Sequence, residues 1–236
     1  MTVSFKDKML PTQPVLSELF KGSESELVSS IYAAVSSFAG LALPTDEFRI
    51  ERSDKTAIEE MASSPMMLRL LQCLIRLRRP KRILEIGAFL GISAMYMASA
   101  LDEDGQLTSI EKFDHFAAIA RRNFAANGLA GKITLIQGDA FEVLQRFSAD
   151  ERFDLVFLDG NKEKYDEYFR MLDPLLTSGG LFITDDVFFH GDALNATPQT
   201  EKGHGVRKFL ELTATYHNYH RVILPVANGF MLMIKN

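Results

Sequence analysis

The stretch Lys81–Ser93, KRILEIGAFLGIS, decides how the rest of the chain is read. An apolar run carries an acid, Glu85, near its end, turns through Gly87 and Gly91, and enters a helical pattern at Ile92. Strand, glycine turn and helix in that order bring backbone amides close to a ligand. The spacing is Gly87-x-x-x-Gly91. It lacks the third glycine of the dinucleotide fingerprint, and no Lys-Ser/Thr pair follows it as in a P-loop. The loop is therefore not the usual phosphate cradle.

Downstream of this stretch, short β-rich runs alternate with helical ones. QLTSIE, KITLIQ, FDLVFLD and GGLFITDD read as strands, each followed by a helical segment, the last after a long polar loop. The end, HRVILPVANGFMLMIKN, reads as two strands joined by a turn at Asn228-Gly229. Repeated β–α units imply an α/β fold: a Rossmann-like, mostly parallel sheet with helices on both faces, plus one antiparallel strand from the terminal hairpin. Upstream, residues 1–80 read as helical. PVLSELF and ESELVSSIYAAVSSFAGLAL carry helix-spaced apolar residues. Ser64-Pro65 opens a helix that runs to about Arg79 and stops at Pro80.

The chain has 236 residues, 47% hydrophobic and 24% charged, with a net charge of −5. This is the composition of an ordinary globular protein, and the charge argues against one that coats nucleic acid. A single cysteine, Cys73, excludes an internal disulfide and points to a reducing compartment. Within MMLRLLQCLIRL it reads as a small buried hydrophobe. The N-terminal MTVSFKDKMLPTQP has no apolar signal core, and no stretch is long enough to span a bilayer. A cytoplasmic protein is expected. The basic run RLRRPKR is read as cations at a helix C-terminus, where the dipole favours them, in preference to a nucleic-acid patch.

In a doubly wound sheet, ligands bind beyond the carboxyl ends of the strands. Glu85, Gly87 and Ser93 lie at the first tip, Glu111 at the second, Asp139 at the third. The helix start at Ser93 offers amides and a hydroxyl to an anion, a carboxylate as well as a phosphate. Glu111 stands where Rossmann folds place the acid that accepts ribose hydroxyls, and Asp139 where an adenine edge would lie. Together these suit an adenosine with an amino-acid tail: S-adenosylmethionine, whose positive sulfonium suits Glu85. Each feature alone also has a plain explanation. The glycine pair reads as a tight strand–helix turn, and Glu111 as a surface acid. Three matching features at three successive tips favour the ligand.

The fourth and fifth tips, FLDGNKEKY and ITDDV, bring Asp159, Asp185 and Asp186 together. Three carboxylates in one crevice repel unless a cation neutralises them, and oxygen ligands select Mg²⁺, or Ca²⁺ or Mn²⁺. The histidines show no metal-ligand spacing, and His115 is placed on an exposed helix face. Lys162, three residues after Asp159, points into the same crevice. Near a divalent ion its pKa would fall, making it a base. The plain alternatives are a solvated lysine and aspartates that cap a helix or hold a loop.

These residues are similar to a known family. LEIGAFLGISAMYMA, SIE, GDA, FLDGNKEKY, LFITDDV and LPVANGFML occur in order and resemble the metal-dependent O-methyltransferases of the catechol and caffeoyl-CoA type. The similarity covers residues 61–236 and leaves 1–60 as an N-terminal helical extension. It implies the seven-stranded sheet of class I methyltransferases that use S-adenosylmethionine. By position it implies that Met61 and Ala62 close over the cofactor, that Glu85, Gly87 and Ser93 hold its methionine side, that Glu111 takes the ribose, and that Asp139-Ala140 takes the adenine. It implies further that Asp159, Asp185 and Asp186 hold the metal, with Asp159 also at the cofactor, and that Lys162 is catalytic. A homodimer and a small hydroxylated acceptor are implied as well. Two departures are visible. The family usually has Asp-Asn where this chain has Asp185-Asp186, and relatives often carry an acid before Gly229, where this chain has Asn228.

The expected activity is a divalent-metal-dependent O-methyltransferase for a catechol-like or other vicinal-oxygen small molecule. The rivals are a tRNA hydroxyuridine methyltransferase of the same fold, with Arg121-Arg122 and RLRRPKR as a phosphate track, a nicotinamide-dependent oxidoreductase, and a binding module without chemistry. The loop FFHGDALNATPQTEKGHG, polar and ending in two glycines, is expected to shape the acceptor pocket and to order only on binding.

Overall fold

The computed structural model describes residues 38–56 and 62–236. Met61, and with it most of the expected helical extension, lies outside the described residues. The first long helix, α1 (Pro65–Arg78), starts as its sequence dictates. The Ser64 hydroxyl accepts from the Met67 amide, and Pro65 fills the first turn, where no amide partner is needed. Arg79 ends the helix in the left-handed region at φ 51°. Met67, Leu68, Leu71 and Ile75 form its buried stripe. Cys73 falls on the opposite face and is exposed, which corrects the expectation of a buried thiol.

Seven strands follow: β1 (Arg82–Ile86), β2 (Gln106–Glu111), β3 (Ile133–Gln137), β4 (Phe153–Leu158), β5 (Leu176–Asp185), β6 (Tyr219–Leu224) and β7 (Phe230–Lys235). They form one sheet in the order β3-β2-β1-β4-β5-β7-β6, parallel except for β7, which runs antiparallel to both its neighbours. The central strands are apolar on both faces because both are covered. Along β4, Leu155 and Phe157 enter one core with α1, α2 (Ile92–Ala100) and α3 (Asp114–Ala126). Val156 and Leu158 enter the other core with α4 (Ala140–Leu144), α5 (Tyr165–Leu172) and α6 (Glu201–Ala214). The chain steps outward from β1 to β3 and then returns to place β4 on the other side of β1. That reversal leaves a crevice at the tips of β1 and β4, where a ligand can enter without crossing a connection.

Two boundaries differ from the sequence pattern. The helical pattern that follows FDLVFLD, YDEYFRMLDPLL, extends through Leu176, but the helix stops at Leu172, and a 3₁₀ turn over Asp173–Leu175 leads into β5. Pro174 has no amide to continue the helix. The loop after β5 is shorter than expected. It holds a 3₁₀ turn over Asp192–Leu194, and α6 already starts at Glu201. The buried Asp192 carboxylate organises it, accepting from the amides of Gln199 and Thr200 and from the Thr200 hydroxyl at 2.7–3.0 Å. Ahead of α1, Phe48 and Ile50 pack on the first core. The amides of Arg49 and Glu51 donate to the side chains of Asn127 and Asn123 on and beside α3.

Candidate active site

A cavity of about 580 Å³ opens along the strand tips, within the usual range for small-molecule sites of roughly 300–1,000 Å³. Of the residues singled out from the sequence, Gly87, Glu111, Ala140, Asp159, Lys162 and Asp186 line it. Glu85, Ser93 and Asp185 sit just behind its wall, all three buried. Asp139 is set back as the N-cap of α4, its carboxylate accepting from the Phe141 amide and paired with Lys112 at 2.9 Å. That pairing holds the Asp139 pKa below the usual carboxylate range. Ala62 is half-buried, and the adjacent Ser63 hydroxyl donates to Asp185 Oδ2 at 3.1 Å.

At the first tip the two glycines have different neighbours. Gly87 adopts φ 95°, and any side chain there would collide with the backbone of Asp159 at the β4 tip. Gly91 adopts φ 82°, and its missing side chain is replaced by the Phe124 ring of α3. Both glycines thus let chain elements pack closely around the cavity. The Ser93 hydroxyl turns inward and donates to Glu85 Oε1 at 2.5 Å, and Ser109 donates to the other oxygen of the same carboxylate. Burial pushes the Glu85 pKa up to about 7 in spite of these two hydroxyls. Glu111 clamps the glycine turn, accepting from the amides of Phe89 at 2.8 Å and Phe113 at 2.9 Å. Phe89 is held by that bond at φ 49°. Burial raises the Glu111 pKa, with the backbone donors opposing it.

Aromatic side chains that the sequence pattern did not single out line the part of the cavity around Glu111 and Ala140. Phe89, Phe113 and Phe116 pack edge to face around Glu111, and Tyr168 stands beside Ala140 and Gly138. Phe113 follows Glu111 by two residues, and this adjacency was the available signal. His115 corrects its expected exposure: its ring lies 3.8 Å from that of Phe116, and its Nε2 is buried without a hydrogen-bond partner.

The acidic half is a linked cluster. Lys162 Nζ sits 3.0 Å from Asp159 Oδ1 and 2.9 Å from Asp186 Oδ2. Asp185 Oδ1 accepts from the Asp186 amide, and Asp186 Oδ1 accepts from Asn228 Nδ2 at 2.9 Å. Burial alone would lower the Lys162 pKa, but Asp159 and Asp186 outweigh it and hold the pKa well above the ordinary lysine value. In the protein alone the shift therefore runs opposite to the one expected beside a metal. Asp185 is raised well above the carboxylate range by burial and by its two acidic neighbours. Asp186 is lowered, because Lys162 and Asn228 offset its burial.

Among the described residues, no three carboxylates, imidazoles or thiols surround a common point ready for a metal. The donor chemistry nevertheless fits a hard dication. All donors are oxygens, and with Asp185 protonated the carboxylates of Asp159 and Asp186 against the Lys162 ammonium leave one negative charge uncancelled, to which Asp185 would add a second on giving up its proton to a metal.

The two departures from the family pattern touch one another. Asp186, in place of the usual amide, accepts from Asn228, in place of the frequent acid. The pair in this chain comprises one carboxylate acceptor and one amide donor. Asn228 also accepts from the His190 amide at 2.6 Å through its side chain and from the Phe188 amide at 2.8 Å through its carbonyl. These bonds hold three residues at positive φ: Asp186 at 60°, Phe189 at 44° and His190 at 54°. Strain of this kind persists where surrounding contacts over-determine it.

The cations of RLRRPKR are all engaged by protein acceptors. Arg76 donates to the Ser99 carbonyl and Arg78 to that of Gly179, while Arg79 and Lys81 pair with Asp102 and Asp104, and Arg82 with Glu151. Arg122 pairs with Glu51 at 2.7 Å, and Arg121 donates to the Leu135 carbonyl. No helix among the described residues is long and apolar enough to cross a membrane.

Comparison with known proteins adds to this geometry. A family model described as O-methyltransferase matches residues 43–236, beginning ahead of Met61. A catechol O-methyltransferase of Niastella koreensis is 32% identical over 148 residues, covering 62% of this chain and 67% of that protein. The crystal structure of the O-methyltransferase TomG from Streptomyces achromogenes, in complex with SAM, superposes with a TM-score of 0.72 at 28% identity, covering 88% of this chain and 96% of that one. An O-methyltransferase from Bacillus cereus, solved with SAH, shares the fold over 98% of this chain and 100% of its own, with a TM-score of 0.72 at 24% identity.

Proposed function

The chain belongs to the O-methyltransferase family, and from that membership we propose that it transfers the methyl group of S-adenosylmethionine to a hydroxyl of a small catechol-like acceptor with two vicinal oxygens. A divalent ion, Mg²⁺ or else Ca²⁺ or Mn²⁺, is part of the proposal, with Asp159, Asp185 and Asp186 as the residues that would hold it. When bound it would supply Lewis acidity and lower the pKa of an acceptor hydroxyl. The observation that carries the proposal is that one cavity is lined by Glu111 and Ala140 at one end and by Asp159, Lys162 and Asp186 at the other.

In this proposal Glu111 accepts from the ribose hydroxyls with the lone pairs that Phe89 and Phe113 leave free. The rings of Phe113, Phe116 and Tyr168 provide apolar surface for the adenosine half, and Ala140 and Asp139 flank it. Buried Glu85, with a pKa lifted to about 7, lies behind Gly87, and in its ionised form it would favour a cationic sulfonium over a neutral thioether. Lys162 stays charged between its two aspartates and donates to the acceptor oxygen; the hydroxyl proton passes to solvent, and the oxygen forms its bond to the methyl carbon as the carbon–sulfur bond breaks and S-adenosylhomocysteine leaves. Its rigid anchorage favours attack geometry, the larger part of the rate for two substrates held in contact. Two copies associating as a homodimer complete the proposal.

The test is methyl transfer from labelled S-adenosylmethionine to a panel of catechols, hydroxycinnamoyl thioesters and bulk tRNA, with Mg²⁺ and with EDTA. A catechol is expected to be methylated, EDTA to abolish the activity, and Asp159→Ala to do the same. Equal rates with EDTA and Mg²⁺ remove the metal from the proposal, and methylation of tRNA alone replaces the acceptor.

A further inference from the structure

Three lysine ammonium groups line the cavity, and they differ in what they touch. Lys112 is tied to Asp139 and Lys162 to Asp159 and Asp186. Lys202, exposed on the rim, has no carboxylate partner among the described residues. Its Nζ lies 6.0 Å from the centroid of the Phe189 ring.

The backbone beneath Lys202 is fixed. It lies in the first turn of α6, between the N-cap Thr200, whose hydroxyl accepts from the Gly203 amide, and two glycines in close contact with their surroundings. A side chain on Gly203 would strike the buried Asp192 carboxylate, and one on Gly205 would strike the backbone of Lys162 and Glu163. The turn that presents Lys202 is thus seated directly on the turn that carries Lys162. The apolar ring of Phe189 beside the ammonium leaves it poorly matched by protein groups. The carboxylates that line the cavity, Glu111, Asp159 and Asp186, already have donors of their own. A negatively charged substituent on the acceptor would be repelled by them and would find its complement only at Lys202.

Resting on the catechol-like acceptor proposed above, we infer that the preferred substrate is a diol bearing a carboxylate, and that Lys202 is the residue that selects it. The ammonium donates to the carboxylate at the rim while the diol lies at the aspartates. A charge-assisted contact at such an exposed position is worth about two- to fivefold in discrimination.

The experiment measures kcat and KM at saturating S-adenosylmethionine for 3,4-dihydroxybenzoate and for its methyl ester. The two share the diol and differ in the charge. The native enzyme is expected to favour the acid by about two- to fivefold in kcat/KM. In Lys202→Gln the KM of the acid rises several-fold more than that of the ester, and in Lys202→Glu the preference inverts. A ratio that neither variant changes, or a native preference for the ester, overturns the inference while leaving the catechol activity standing. If neither diol is methylated by enzyme that binds S-adenosylmethionine, the acceptor class itself is wrong and the role of Lys202 falls with it.

Discussion

At the scale of the residue, Asp186 and Asn228 are best understood as a pair. Read separately, an aspartate at 186 adds a third carboxylate to a crowded crevice. In contact, the amide of Asn228 donates to it at 2.9 Å, and Lys162 neutralises its other oxygen at 2.9 Å. The bond has a direction that substitution can reverse. Asn228→Asp alone would set two carboxylates against each other and lose the donor, at a cost of about 1–3 kcal/mol. For a chain of this size that is a fall of several degrees in Tm. Adding Asp186→Asn restores one donor and one acceptor, and the double variant is expected to recover most of the loss. Thermal denaturation of the single and double variants measures this coupling directly. Two losses that simply add would show that the contact carries no specific energy.

At the scale of the element, α6 joins the loop after β5 to the turn that carries Lys162. The sequence EKGHG looked like the end of a mobile loop, because glycine pairs usually mark one. In the folded protein they are the first turn of a helix, and their missing side chains are the space into which Asp192 and the Lys162–Glu163 backbone fit. Gly205→Ala separates the two roles. By helix propensity alone, alanine should stabilise an interior helical position by about 1 kcal/mol. By packing, it must push α6 away from Lys162. On the roles proposed for Lys162 and for the tips of β1 to β3, we expect a lower Tm together with at least a tenfold fall in kcat, while the affinity for S-adenosylmethionine stays within about twofold, since a small misplacement of a catalytic group can cost that much. A variant of raised Tm and native kcat would show that α6 is not seated as described. The other element-scale departure, α5 stopping at Leu172, was legible in Pro174 but was overridden in the reading by the apolar run around it.

At the scale of the whole molecule, Glu85 links the sheet to pH. It lies on the face of β1 covered by α2, fully buried, with Ser93 and Ser109 as its hydrogen-bond donors. Burial lifts its pKa to about 7 from an ordinary 4.5. The folded state therefore holds a proton that the unfolded chain releases between these values. Stability contributed by this group is greatest below pH 4.5, falls as pH rises through the window, and levels off above about 7. Between pH 5.5 and 8.0 the expected loss is about 2 kcal/mol from this residue. Urea denaturation at the two values should show a pH dependence shallower by that amount in Glu85→Gln than in the native protein. An equal dependence in both would mean that the carboxyl stays ionised in the fold.

The sequence by itself determined the alternation of strands and helices, the start of α1 at Ser64-Pro65, the terminal hairpin, and the set of acids at successive strand tips. It could do so because these features are local: hydrophobic period, turn chemistry and capping depend on neighbours a few residues away. It also carried enough ordered motif to place the chain in its family. Which of those side chains face the cavity was decided only by tertiary structure. Ser93 and Glu85 turn toward each other behind the wall, Lys112 draws Asp139 aside, and Asn228 meets Asp186 across 42 residues. Lys202 gained its place because two glycines let α6 settle against the turn of Lys162. Such contacts join positions remote along the chain, and their energies depend on burial and distance, quantities that exist only once the chain has folded.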